Sequence, residues 1–486
     1  MDNQRQQTEP ILGAYVRERK WGEHQPRRIQ PKHIWGLLFV IATFVLALAT
    51  LILPGAIVIA VVLSIVSAIA VLKYPIIGLS AFVILNFIRP GDFVPGLDAI
   101  PLAKMIGGGT LLAVILQHLR SKDILFRYRQ TYLLIAFTIV LFISAPLSYW
   151  PSRAMEVSMD FLKIMLFFLI FINIIRDYKR LQAVSLIALL SILVLCYSTI
   201  QSYFSGADRA AATIGAGIFG DSNDVALVFV TAIPLSEYFR VSRLKPPLNQ
   251  LLYWASVAFL SFGVFATQSR GGFLGLCAVL FILFTRGRNK VKGLLVLAVV
   301  GLVIFALLPG EMTERYSTID DYQEDASAMG RIHAWKAGIK MMLSRPLNGV
   351  GIGCFEVAFG TAYRPPGFTS SRWMSPHNTL IQVGGETGLI GLAIFLYLYI
   401  YCILQMRRLE PEGSPEDKTK ILSARDITLA SLVGFGVCAF FLTQALNYMY
   451  YFLVASTVCI VNINSTNKEK ADILYSGPEV KTAVVK

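Results

Sequence analysis

The sequence predicts an all-α, polytopic membrane protein: a helical bundle of about fourteen transmembrane helices with one long extracytoplasmic loop containing an interfacial helix. Three observations predict it. Hydrophobic residues make up 55 % of the 486 residues and charged ones only 15 %. Apolar runs of about 17–25 residues recur from His33 to Asn462 with short polar gaps, a repetition that soluble domains have no reason to keep. The net charge of +14 sits mainly in those gaps, which reads as the positive-inside rule rather than a nucleic-acid surface.

Residues 1–32 form a basic cytoplasmic tail. The first apolar run, "HIWGLLFVIATFVLALATLIL", is long for a signal-peptide core and lacks a small-residue cleavage site, so it is a retained span. Spans are then expected at 33–53, 56–72, 75–88, 102–119, 131–148, 158–175, 181–204, 223–239, 251–267, 271–285 and 294–308, the run 75–88 being short enough to be re-entrant. This membrane region, 33–308, is followed by the extracytoplasmic loop 309–376 and by spans 377–406, 425–445 and 448–462. Residues 463–486 are expected to be a disordered cytoplasmic tail. The loops "RSKDILFRYR", "RDYKR", "RVSRLK", "RGRNKVK" and "RRLEPEGSPEDKTK" alternate along the chain, which places them and both termini in the cytoplasm and requires an even number of spans. Six cysteines are scattered without CxxC or Cys/His spacing, so neither a metal site nor a disulfide is expected.

The outward turns are almost free of Lys, yet four hold a single Arg: Arg89, Arg153, Arg209 and Arg270. A snorkelling arginine explains any one of them. Four on the face that topology keeps poor in cations point to an anion held there by some of them. In "TQSRGGFLGL" the glycines permit a tight reversal and Arg270 caps the bend. In "DRAAATIGAGIFGDSNDVAL", Arg209 is placed to meet an anion, while Ser222 or Asn223 caps the following helix.

In the long loop, Ile332, Trp335, Ile339 and Met342 recur at helical spacing with Lys336 and Lys340 on another face. That is the pattern of a helix lying in the interface, with Arg331 in its first turn. The glycines of "GVGIGCF" make a tight turn back toward the membrane. A phosphate loop would need a following Lys-Ser/Thr that is missing. His377 follows Ser375-Pro376, a helix-start pattern, so it sits at the positive end of the next span, where protonation is opposed and anions are favoured. A neutral imidazole there is a proton acceptor; an ordinary interfacial histidine has the same spacing. Glu386 lies nine residues on, about 13.5 Å along an ideal helix and near its opposite face, which separates it from His377. Gly384, Gly388 and Gly391 read as a close packing seam, with Glu386 hydrogen-bonded to a neighbouring helix.

The ordered set "SRGGFLG", "GRIHAWKAGIKMM", "RPLNGVGIGCF" and "SPHNTLIQVGGETGLIG" resembles the O-antigen ligase and Wzy-type polymerase superfamily over roughly residues 209–391. The stretch "NFIRPGDFVPGLDAIP" is similar to the exosortase-associated O-glycosylation ligase branch. The family commonly has fewer spans and a shorter N-terminus. The resemblance implies transfer of a glycan from undecaprenyl diphosphate to an acceptor hydroxyl at the outer face of the bacterial inner membrane, without cofactor or metal. It implies a diphosphate held by Arg270 and Arg331, with Arg209 a looser match, and His377 as the catalytic residue. Arg372, Glu386, Asn378 and Arg89 are second candidates for contacts to donor or acceptor.

The partners expected are a lipid-linked oligosaccharide donor, a glycolipid, glycan or protein acceptor, the bilayer and polysaccharide assembly proteins, with no nucleic acid. A ligase is expected on the "RPGDF" resemblance, with a Wzy-type polymerase as the alternative. A membrane transporter would instead need carboxylates near the bilayer midplane, where Glu386 is the main deep candidate. A structural partner without catalysis is the third reading.

Overall fold

The computed structural model describes residues 66–88, 102–121, 128–207, 209–212, 220–242, 244–286, 326–366, 368 and 373–475. Among them the regular structure is entirely helical. In chain order the helices are α1 (Pro75–Phe87), α2 (Leu102–Ser121), α3 (Arg129–Ser144), α4 (Pro151–Ile174), α5 (Tyr178–Phe204), α6 (Ser222–Ala232), α7 (Glu237–Arg240), α8 (Pro246–Ala266), α9 (Arg270–Arg286), α10 (Ala326–Ser344), α11 (Phe355–Ala358), α12 (Thr379–Arg408), α13 (Pro415–Ala439) and α14 (Tyr448–Tyr475). Helices α1 to α14 all belong to one compact unit, within Ala68–Lys486.

Eight of these helices are long and apolar enough to cross a membrane, or up to nine if the bent pair ending in α1 counts as one span. That pair turns by 113° next to Tyr74, the geometry of a broken span or a re-entrant loop, in line with the short run at 75–88. Of the expected spans, 33–53 and 294–308 lie outside the described residues, as does the part 56–65 of the span 56–72. The span expected at 223–239 is not one helix: α6 gives way to a 3-10 turn, Ile233–Ser236, before α7. Pro234 is the cause, since it supplies no N–H and crowds the preceding turn.

Two boundaries differ from expectation by ten residues or more. Helix α13 starts at Pro415, inside the charged stretch read as a loop. Ser414 caps it by accepting the Asp417 N–H at 3.2 Å, and Glu416 pairs with Lys420 one turn on. Helix α14 runs to Tyr475 instead of ending near Asn462. Its extension is held at Asn464, which accepts the Glu412 N–H and donates to the Glu410 carbonyl, both at 2.8 Å.

The core is built around α14. Residues Met449 to Ile460 are buried on every side, as a helix in the middle of a bundle must be. Consecutive helical residues point about 100° apart, so Tyr450, Tyr451 and Phe452 reach three directions. Tyr450 stacks on Phe435 of α13 at 5.0 Å and meets Phe395 of α12 at 5.2 Å. Tyr451 sits edge-on to Phe161 and Phe452 to Phe171, both of α4, at 5.3 and 5.2 Å. These offset and edge-to-face contacts suit the aromatic quadrupole.

The glycines of "SRGGFLG" do not make the reversal assigned to them. The turn is 267–269, where Gln268 takes the left-handed conformation at φ 52°. Gly272 and Gly275 instead lie within α9 and let it press against its neighbours. A Cβ on Gly272 would come 2.6 Å from the Ala226 Cβ of α6, and one on Gly275 would overlap Cys438 Sγ of α13. Small residues permit the close approach that membrane helices use in place of hydrophobic burial.

Candidate active site

Helix α12 does not start at His377. Asn378 is its N-cap, its Oδ1 accepting the Leu380 and Ile381 N–H groups at 2.9 and 3.0 Å. His377 therefore stands just outside the helix, in the left-handed region at φ 43°, a conformation that a non-glycine residue keeps only when its surroundings fix it. Its N–H donates to Thr443 Oγ1 at 3.1 Å, and Trp335 Nε1 of α10 donates to the carbonyl of Pro376 at 2.8 Å. Pro376, expected in the first turn of the helix, lies in this leader instead, because the Asn378 side chain competes for the first free N–H groups.

Helix α10 crosses beneath the leader. Its buried stripe is Ala334, Ala337, Gly338 and Met341, which packs on α12. The apolar set read from the sequence lies beside that stripe, with Ile339 42 % exposed. A bundle-facing seam needs small residues for close approach, and the larger apolar ones are left on the outer side. The helix begins at Ala326, so Arg331 is in its second turn rather than its first. The Met374 Cε would lie 2.7 Å from a Cβ on Gly330, and the charge of the neighbouring Arg331 reaches His377.

A second group of side chains converges from α6 and the α8–α9 turn. The cap of α6 is Asp221, not Ser222 or Asn223: its Oδ1 accepts the Asn223 N–H at 2.7 Å and Asn223 Nδ2 at 3.0 Å. The Asn223 side chain, buried, is thereby free to bridge. Its Oδ1 accepts from Arg209 Nη2 at 3.3 Å and from Ser269 Oγ at 2.7 Å. Ser269 also caps α9, accepting the Gly272 N–H at 3.1 Å, which fixes the exposed Arg270 as the first residue of that helix.

The two groups share an electrostatic field. Burial holds the His377 imidazole below its ordinary pKa, the positive charges of Arg331 and Arg209 push it further down, and the Asp221 carboxylate opposes them. A base kept neutral near guanidinium groups that attract anions can take a proton without being protonated by solvent first.

Of the other sequence candidates, Arg89 and Arg372 lie outside the described residues. Arg153 pairs with Glu156 at 2.9 Å, the ordinary fate of a rim arginine. Asn378 is spent on the cap. Glu386 is 3 % exposed and turned away from His377 toward the glycine loop. One of its oxygens accepts the Phe355 N–H at 3.3 Å, the other Gln382 Nε2 at 3.4 Å. The glycine loop thus wraps a carboxylate of its own chain. Asp221, Ser269, Thr443 and Gln444 were not singled out from the sequence. Capping chemistry marks Ser269, one residue before Arg270, and Asp221, before an apolar run. "LTQALN", between two spans, carries no such signal.

The glycine loop also breaks α12. Gly388 is non-helical at φ 72°, ψ −170°, and the ends of the break are bonded to the loop. Leu389 N–H donates to Pro346 O at 2.7 Å, while Val350 and Gly351 N–H donate to the carbonyls of Gly385 and Glu386, each at 2.9 Å. The glycines read as a seam between straight helices are in part this break. The loop is strapped in turn to the α3–α4 turn through Ser144 Oγ to Asn348 O at 2.7 Å and Arg345 Nη1 to Leu147 O at 2.8 Å.

No curated protein matches the chain. Residues 255–396 match the family model described as O-antigen ligase. That stretch carries Arg270, Arg331 and His377, whereas Arg209, Asp221, Asn223 and Thr443 join the site from outside it by geometry alone. The motif resemblance to the O-antigen ligase and Wzy-type superfamily is matched where the site is built: the segment from α8 into α12 is similar to the O-antigen ligase family.

Proposed function

We propose that this protein is a glycan ligase that transfers a saccharide from an undecaprenyl-diphosphate-linked donor to an acceptor hydroxyl at the outer face of the bacterial inner membrane. The coarser part, a ligase-like glycan-processing membrane enzyme, follows from the family match and the apolar helices. The observation that carries the finer reading is the field at His377, a half-buried imidazole reached by the positive charges of Arg331 and Arg209. Neutral His377 removes the acceptor proton as the hydroxyl oxygen attacks the anomeric carbon. The bond from that carbon to the diphosphate oxygen breaks, and the electron pair leaves with the diphosphate. Arg331, Arg209 and Arg270 supply the positive charge that receives it. Attack from the face opposite the leaving group inverts the anomeric centre. The polyprenyl tail lies between helices, α10 covers the site from the interface, and both termini are cytoplasmic.

Purified protein incubated with lipid-linked oligosaccharide alone should leave the donor unextended and should form product once an acceptor is added. A ladder of longer lipid-linked chains without acceptor would instead mark a polymerase. His377→Ala should lower transfer by about 10²–10⁴, the contribution of a general base. Unaltered transfer by that variant would overturn the assigned role. Arg209→Ala and Arg331→Ala should raise the donor KM; intact donor binding in both would favour a structural partner of an assembly complex.

A further inference from the structure

The turn between α13 and α14 is stitched to the leader and first turn of α12 residue by residue. Thr379 Oγ1 donates to the Leu442 carbonyl at 2.7 Å and accepts the Gln444 N–H at 3.0 Å. The Ala445 N–H donates to Gln382 Oε1 at 3.1 Å. In the middle of this seam Thr443 Oγ1 accepts the His377 N–H at 3.1 Å and shares a hydrogen bond of 3.0 Å with Ser375 Oγ. The same turn is anchored on its other side, where Gln444 Nε2 donates to Asp224 Oδ1 at the head of α6. Asp224 is the neighbour of Asn223, which holds Arg209 and Ser269.

The backbone of His377 is in a conformation that relaxes unless it is held. The bond made by its own N–H ends on the Thr443 hydroxyl. Pro376, next along the chain, is held from α10, and Asn378 is held by its cap. We propose that Thr443 is a positioning residue for His377: its hydroxyl fixes the left-handed backbone that aims the imidazole at the acceptor. The Gln444–Asp224 bond keeps that hydroxyl in register with the group holding the arginines. This inference rests on His377 acting as the base. It assigns to the α13–α14 turn, outside the family-matched segment, a part in catalysis.

The test compares Thr443→Val, which keeps the shape and removes the hydroxyl, with Thr443→Ser, which keeps the hydroxyl. The assay follows release of polyprenyl diphosphate from a polyprenyl-diphosphate-linked oligosaccharide by the full-length protein, with rates normalised to folded protein by size-exclusion. Thr443→Val should lower kcat about tenfold, the scale of one neutral hydrogen bond lost, with the donor KM unchanged. The acid limb of its pH profile should move upward as the loosened imidazole regains solvent. Thr443→Ser should restore kcat and the limb. Wild-type turnover by Thr443→Val, or a Thr443→Ser variant as slow as Thr443→Val, overturns the proposal. His377→Ala separates the two ideas: if it retains turnover the base reading itself fails, and if it is inactive while Thr443→Val is unimpaired only the positioning role fails.

Discussion

The charge environment of His377 makes its titration a direct probe of which residues face it. Burial, Arg331 and Arg209 all lower its pKa, and Asp221 alone of the named neighbours raises it. A base must be neutral to act, so kcat/KM should climb with pH, with a midpoint below the ordinary histidine value of about 6.5. Arg331→Gln removes a charge that disfavours imidazolium, so the acid limb should shift to higher pH. Asp221→Asn removes the charge that favours it and keeps a capping oxygen for α6, so the limb should shift to lower pH. A pH–rate series on the two variants checks both signs, and shifts in the same direction would contradict the arrangement. His377 and Arg331 were legible in the sequence because polar residues at an apolar boundary stand out. Asp221 was not, because "GDSND" offers several capping residues in a row and only the backbone decides which side chain accepts and which, here Asn223, is released to bridge.

Among the elements, α12 hides a break that its sequence does not disclose. An apolar run from Thr379 to Arg408 reads as one straight helix, yet Gly388 interrupts it because the glycine loop supplies replacement partners for the freed backbone groups. At φ 72° a side chain is strained, and a Cβ would in addition overlap the Pro346 carbonyl. Gly388→Ala should therefore cost at least about 2 kcal/mol, seen as a lower unfolding temperature in detergent. Glu386 belongs to the same assembly. Its place inside an apolar run marks it in the sequence as a functional suspect, but its bonds to Phe355 and Gln382 make it the internal hydrogen-bond acceptor of the loop. Glu386→Gln should accordingly lower stability more than it lowers turnover per folded molecule, as thermal melting and normalised rates would register.

For the whole molecule, α14 is the keystone, and Tyr450 tests it in two ways. Its ring is in contact with α12 and α13, so Tyr450→Ala should cost about 3–5 kcal/mol through the cavity it leaves. Its hydroxyl is buried without a hydrogen-bond partner, so Tyr450→Phe should leave stability unchanged or raise it by about 1 kcal/mol. Equilibrium unfolding of the two variants would separate ring packing from the hydroxyl. By itself the sequence determined the class of the protein and the order of most described spans, because apolar run length and basic gaps respond to the bilayer locally. Only the tertiary structure decided that Arg209, Asn223 and Ser269 form one group, that Thr443 holds His377, and that a glycine loop breaks α12. Those are meetings between residues far apart in the chain. They depend on how closely helices approach and on which buried N–H groups find an acceptor, and neither is encoded in the periodicity of any single segment.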